Sequence, residues 1–253
     1  MPYETLQLLK RHPVRTHVTL ITLSLVLSSF ALAHHGKKYL VTGSHEVSSP
    51  GAWHLLFSSE YRPQLNEQRF GIEPGILYGV SRSWDVEFHA HHSTENGVLR
   101  LEAVAIESRF GLFGNYSDEE VIGEMEHQSH FGMTLLVEAE KGFEHEDNVE
   151  GRLIFGGEMA ATSYAMNLTW QPSLNESESQ GVRYSLGLKR SIVNGIGIGL
   201  ELNGAFDGFE DFRWTPGIYI SASEKLDLKI GMSLGVRGLT DDQILRTSLV
   251  VSL

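Results

Sequence analysis

Between Asp85 and Gly97 the chain reads DVEFHAHHSTENG, with imidazoles at His89, His91 and His92, carboxylates at Asp85 and Glu87, a hydroxyl at Ser93 and a carboxamide at Asn96. Three chemistries are open to such a stretch. His89 and His91 with Glu87 and Glu102 offer imidazole and carboxylate donors suited to zinc or a similar ion. His91 and Ser93 have the residue types of a base and a nucleophile, which would need a hydrogen-bonded pair, an orienting group and an oxyanion site. The third possibility is a polar wall that performs no reaction. No compact HExxH-type spacing is present, so the sequence assigns no metal site, no cofactor and no catalytic residue. The expectation is a non-enzymatic wall, and which face those side chains occupy depends on the elements that carry them.

The start of the chain has the pattern of an export signal. Lys10, Arg11 and Arg15 precede the apolar stretch from Val18 to Leu27, which closes on Ala31-Leu32-Ala33. That pattern predicts a signal peptide over 1–33, a periplasmic N-terminal segment over 34–50 and one large domain over 51–253. The net charge of −12 argues against nucleic acid as a partner. The absence of cysteine excludes a disulfide framework and thiolate metal ligands. No later apolar run is long enough for a spanning helix.

The rest of the chain alternates with a period of two. In LDLKIGMSLGVR, Leu226, Leu228, Ile230, Met232, Leu234 and Val236 share one face, while Asp227, Lys229, Gly231, Ser233, Gly235 and Arg237 share the other. Successive strand side chains leave opposite faces of a sheet, so this pattern is a strand signature. It predicts twelve strands, near 52–62, 69–80, 84–92, 97–108, 129–141, 148–158, 161–171, 181–190, 195–206, 212–222, 225–237 and 244–253. Each approaches the length a tilted strand needs to cross a bilayer.

A strand with one fully apolar face survives in lipid only inside a closed sheet with no edge. The fold expected is therefore all-β: a closed antiparallel transmembrane β-barrel of about twelve strands in the outer membrane of a Gram-negative cell. Its short turns, at 81–83, 159–160, 191–194 and 223–224, would face the periplasm. The acidic stretch 113–130 is expected to hold a short helix, and Ser93 to Gly97 to form an outer turn. The partners implied are outer-membrane lipid and lipopolysaccharide, the barrel-assembly machinery and a small-molecule solute.

With the apolar face given to lipid, the polar register lines the interior. It predicts Asp85, Glu87, His89, His91, Arg100, Glu102, Glu138 and Glu140 on one arc, and Arg183, Lys229 and Arg246 on the other. The first arc is mainly acidic and the second mainly basic. If water fills the gap, the opposed arcs filter small polar solutes in a passive channel. If the side chains meet, they plug a structural barrel. In the open case, conductance should change between about pH 5 and 8, where unperturbed histidine titrates.

Two resemblances accompany this reading. GIEPGILYGVSRSWDVEFHAH (71–91) and WTPGIYISASEKLDLKIGMSLGVRGLTDD (214–242) resemble the strand units of the outer-membrane transporter-like family named for the meta-pathway of phenol degradation. That resemblance implies a barrel passing small, often hydrophobic or aromatic, molecules, and it supplies no catalytic residues. His91-x-Ser93 with Asn96 is similar to the His-x-Ser-Asn pattern of outer-membrane phospholipase A and lipid A deacylase, which implies a membrane-embedded lipid hydrolase. In those enzymes the site faces lipid, whereas the register here turns His91 inward.

Overall fold

The structure is a computed structural model that describes residues 38–63, 68–95, 97–114, 130–143, 146–172, 181–206, 212–235 and 243–253. The expected signal peptide and almost all of the expected 113–130 helix lie outside the described residues. Twelve strands are present: β1 (Trp53–Pro63), β2 (Gln68–Ser81), β3 (Trp84–Glu95), β4 (Val98–Phe113), β5 (His130–Gly142), β6 (Asn148–Met159), β7 (Thr162–Trp170), β8 (Val182–Val193), β9 (Ile196–Ala205), β10 (Arg213–Ser223), β11 (Leu226–Gly235) and β12 (Gln243–Ser252). Each pairs antiparallel with its sequence neighbours, and β1 pairs with β12 to close the barrel. Closure satisfies the backbone without leaving an edge, which a lipid environment demands.

The alternation read from the sequence separates the two faces. Phe88, Val104, Ile106, Leu188, Ile198, Ile218 and Ile230 lie exposed on the outside. Their same-strand neighbours Asp85, Glu87, Glu107, Glu201 and Lys229 are buried within the wall. Aromatic side chains gather toward the strand ends. At the short-turn end Trp53 meets Tyr78, Trp84 stacks on Phe110, and Phe131 lies between Phe113 and Phe155. At the other end Tyr184 packs on Phe206, and Trp170 and Trp214 are exposed. Two aromatic girdles around an apolar band are the surface of a barrel that sits in a bilayer.

Two local expectations change. The turn expected over Ser93 to Gly97 shortens, because β3 continues to Glu95, which pairs with Val98 at the start of β4. Gly97, just before β4, takes the positive φ of 76° that a tight hairpin requires. The interior is also less uniformly polar than expected. Leu56, Leu77 and Val250 form an apolar cluster on β1, β2 and β12, and Leu136 and Ile154 are fully buried on β5 and β6.

Candidate functional site

The lumen is occupied by the chain's own N-terminal segment. Residues expected to lie outside the barrel as part of a periplasmic stretch over 34–50 instead run through it: Tyr39, Leu40, Thr42, Ser44, His45, Val47 and Ser48 are all buried. The Glu201 carboxylate on β9 accepts from the backbone N–H groups of Leu40 at 2.6 Å, Val41 at 2.7 Å and Thr42 at 2.6 Å, and from the Tyr219 hydroxyl at 2.7 Å. Lys229 on β11 donates to the Tyr39 carbonyl at 3.1 Å, and Thr134 on β5 donates to the His45 carbonyl. Asp85 on β3 accepts from the Ser48 N–H at 2.7 Å. A strap without regular secondary structure buries its backbone polar groups, and these wall side chains supply partners that water would otherwise provide. The sequence's opposed acidic and basic arcs thus meet the segment between them.

Inward glycines make the space. A Cβ at Gly79 would stand 1.9 Å from the Ser49 carbonyl oxygen, and one at Gly156 would stand 2.5 Å from a ring nitrogen of His45. At Gly187 it would meet the Tyr39 ring at 2.9 Å, and at Gly231 the Leu40 side chain at 2.5 Å. Alternation alone reads such glycines as neutral members of a polar face. Their common role, close approach of a second chain segment, appears only when the segment is in place.

Register explains the acidic arc. Glu87 pairs with Glu107, Glu107 with Glu138, and Glu138 with Glu150, so four carboxylates form one row across β3 to β6. The next row toward the short turns carries Asp85, Arg109, Leu136 and Arg152 in the same order. Like charges directly opposite one another destabilise a sheet, and the two arginines offset this. Arg109 Nε lies 2.9 Å from Asp85 and 3.4 Å from Glu107, with Nη2 3.8 Å from Glu87. Arg152 Nε donates to Glu150 at 2.9 Å. Above the glutamate row stand His89, 3.5 Å from Glu87, and His91, whose Nδ1 lies 3.6 Å from Glu73 and whose Nε2 lies 3.1 Å from Glu140.

Every predicted wall residue is among the described residues. Asp85, Glu87, His89, Glu138 and Lys229 are buried inside. His91, Glu102, Glu140, Arg183 and Arg246 are half-buried, and Arg100 is exposed near the long-loop end. Arg246 pairs with Glu60 and donates to Ser233 at 2.8 Å. Parity counting passed over Glu107 and Arg109, for a reason visible in the pairing. His91 is opposite Ala103 while His92 is opposite Leu101, so Glu102 is the extra residue of a β-bulge. A bulge reverses the inward parity on either side of it. Arg100 and Glu102 therefore reach the same lumen as Glu107 and Arg109, whose positions differ from theirs by an odd number. The run of small residues Ala103, Val104 and Ala105 held no signal of it.

His91 and Ser93 of the hydrolase resemblance each meet carboxylates. Ser93 donates to Glu102, and His91 faces Glu73 and Glu140. The serine hydroxyl is thus bonded to a carboxylate on β4, and Asn96 lies outside the described residues.

At the segment's start, burial works against charge on Lys38. The facing carboxylates of Glu46, 2.5 Å away, and Glu158, 2.6 Å away, outweigh it and raise its pKa above the ordinary lysine value. Burial and then the nearby Glu201 charge push the Tyr39 phenol well above its usual range, so it stays neutral.

Fold and site together define a transmembrane β-barrel of the outer-membrane type whose lumen holds its own N-terminal segment. No family model and no curated protein matches this sequence. Among solved structures the chain is similar to the KdgM porin, at 9% identity and a TM-score of 0.52 over 79% of this chain and 99% of that one. It is also similar to the NanC porin, at 10% identity and a TM-score of 0.50 over 79% and 98% of the two chains. An active-site mutant of outer membrane phospholipase A from Escherichia coli matches at 10% identity and a TM-score of 0.50, over 89% and 96%. At such identities the likeness is one of fold: a porin-like outer-membrane barrel, coarser than the phenol-pathway resemblance.

Proposed function

We propose that the protein is a bacterial outer-membrane channel for small polar solutes, closed at rest by its own N-terminal segment. One observation carries this reading: residues 39–48 cross the lumen on bonds to Glu201, Lys229, Thr134 and Asp85, with wall glycines shaped to receive them. Displacing that segment would leave the glycine tract beside a charged wall, a path suited to small polar solutes rather than the hydrophobic or aromatic ones that the family resemblance implies. Cleavage after Ala33 would leave the closing segment near the new terminus, with the short turns and both chain ends in the periplasm. The barrel-assembly machinery would insert the chain, lipid and lipopolysaccharide would surround it, and no catalytic step or cofactor is needed.

The runner-up is a non-conducting envelope barrel, favoured by the same segment and by the Arg109 ion pairs that join β4 to β3. Planar-bilayer recording separates them. The mature chain should be mostly silent, and the chain lacking residues 39–49 should conduct in steps. A deletion variant that inserts as a folded barrel yet passes no current would favour the structural reading.

A further inference from the structure

We infer that the lumen wall on the long-loop side of the segment binds a divalent transition-metal ion of the zinc class through Glu73, His89 and His91. The inference stands whether or not the barrel conducts. One ligand atom from each of these three side chains lies within 4.8 Å of the other two, and the same holds for His91 with Glu138 and Glu140. The wall between these strands is built to let them converge. Ala103 and Ala105 on β4 stand opposite His91 and His89, and Glu140 lies directly beyond Ala105. With only methyl groups on β4, carboxylates on β5 reach across to imidazoles on β3. On the other flank Gly75 pairs with His89, so β2 adds no bulk beside it and Glu73 approaches from two residues away.

The donor set selects the ion. Calcium and magnesium take all-oxygen ligands. Two imidazoles and one carboxylate match the three-ligand sites in which zinc keeps an open position. Each ring also has a carboxylate near a nitrogen: Glu87 lies 3.5 Å from His89 Nδ1, and Glu140 lies 3.1 Å from His91 Nε2. A ligating histidine characteristically has such a partner on its other nitrogen, where it fixes the ring and strengthens the donor. The cluster sits on strands rather than loops, which favours a preformed geometry. It sits above a row of four glutamates, beneath which Asp85, Arg109, Leu136 and Arg152 follow, so in these two rows five carboxylates face two guanidinium groups and a cation above them is electrostatically favoured. Exposure rises along β3, from 1% for the His89 side chain to 24% for His91, so an ion can enter from the long-loop side.

The test uses the mature chain, folded in detergent and stripped with a chelator. His34 and His35 are replaced by alanine throughout, because adjacent terminal histidines bind transition metals themselves. Zinc is titrated by calorimetry, and cobalt is added separately to record its visible absorption bands, which report imidazole coordination. The expected result is one saturable equivalent. His89→Ala, His91→Ala and Glu73→Gln should each lower the affinity at least about tenfold. His92→Ala, beyond the bulge and paired with Leu101 on the outer face, should leave it unchanged. Heat-modifiable electrophoretic mobility shows that each variant is a folded barrel, and Glu73→Gln, the mildest change, keeps the test decisive if a histidine variant fails to fold. No saturable uptake by the folded protein, or uptake that the His91 and Glu73 variants leave intact, overturns the site.

Discussion

Replacing Glu201 by glutamine tests the closing segment with the smallest change of shape. In the native lumen Oε1 accepts from the Leu40 N–H and the Tyr219 hydroxyl, while Oε2 accepts from the Val41 and Thr42 N–H groups. Glutamine keeps one oxygen and presents an amide NH2 in place of the other; with the NH2 on the Oε1 side the Tyr219 hydroxyl can turn to accept from it, and the Leu40 N–H is left facing a donor. A buried donor left unsatisfied costs about 1–3 kcal/mol. One such donor, with the loss of charge at the remaining bonds, amounts to about 2–3 kcal/mol against the closed state. Because each 1.4 kcal/mol is tenfold, that shifts the ratio of closed to open forms by roughly one to two orders of magnitude. Tyr219 and Glu201 belong to the wall, so the wall absorbs part of this cost and the shift is an upper figure. Single-channel recording should show a much higher open fraction for Glu201→Gln than for the parent chain. Limited proteolysis should cut the variant within 39–49 more readily. A variant that folds and inserts with unchanged current and unchanged protection would refute the idea that Glu201 holds the segment in place.

Other outcomes follow from the same geometry. The three atoms nearest to a Cβ at Gly187 all belong to Tyr39 and Thr42 of the segment. Gly187→Val should therefore raise conductance in the full chain and change little in the chain lacking 39–49, as paired bilayer recordings would reveal. Arg109 is 2% exposed and faces Asp85, Glu87 and Glu107. Arg109→Ala leaves those carboxylates buried without their cation and should cost about 3–5 kcal/mol, read as a lower urea midpoint for unfolding from lipid vesicles. Lys38 and Tyr39 both have raised pKa values in the folded protein. Their contribution to closure is complete below about pH 10, where unfolded tyrosine and lysine keep their protons, and is lost as pH rises further. Conductance and protease sensitivity should therefore increase on the alkaline side, and a flat response to pH 11 would remove these two residues from the closing mechanism.

Much of the architecture was legible because a period of two is a local property. The alternation around Tyr164, Met166 and Leu168, or along Leu226 to Leu234, sets which face meets lipid without reference to any partner strand. All twelve strands were found from it, with ends displaced by a few residues. Counting by parity failed where pairing adds a residue. Glu107 and Arg109 were missed because the bulge at Glu102 reverses the inward face, and a bulge is a relation between β3 and β4 rather than a motif in either. The metal donors were half legible: His89 and His91 stand two apart on one strand, but Glu73 and Glu140 join them only through the register of β2, β4 and β5.

By itself the sequence determined a closed antiparallel barrel with an apolar exterior and a charged interior, because strand periodicity and the need to satisfy every backbone group in lipid leave few alternatives. Only the tertiary structure decided what fills that interior. Residues 38–50 have no strand periodicity and look like a tether. Their place in the lumen depends on Glu201, Asp85 and Lys229 from three distant strands and on glycines whose only shared property is the space they leave. Contacts of that kind are set by closure of the barrel around the segment, which local sequence does not encode.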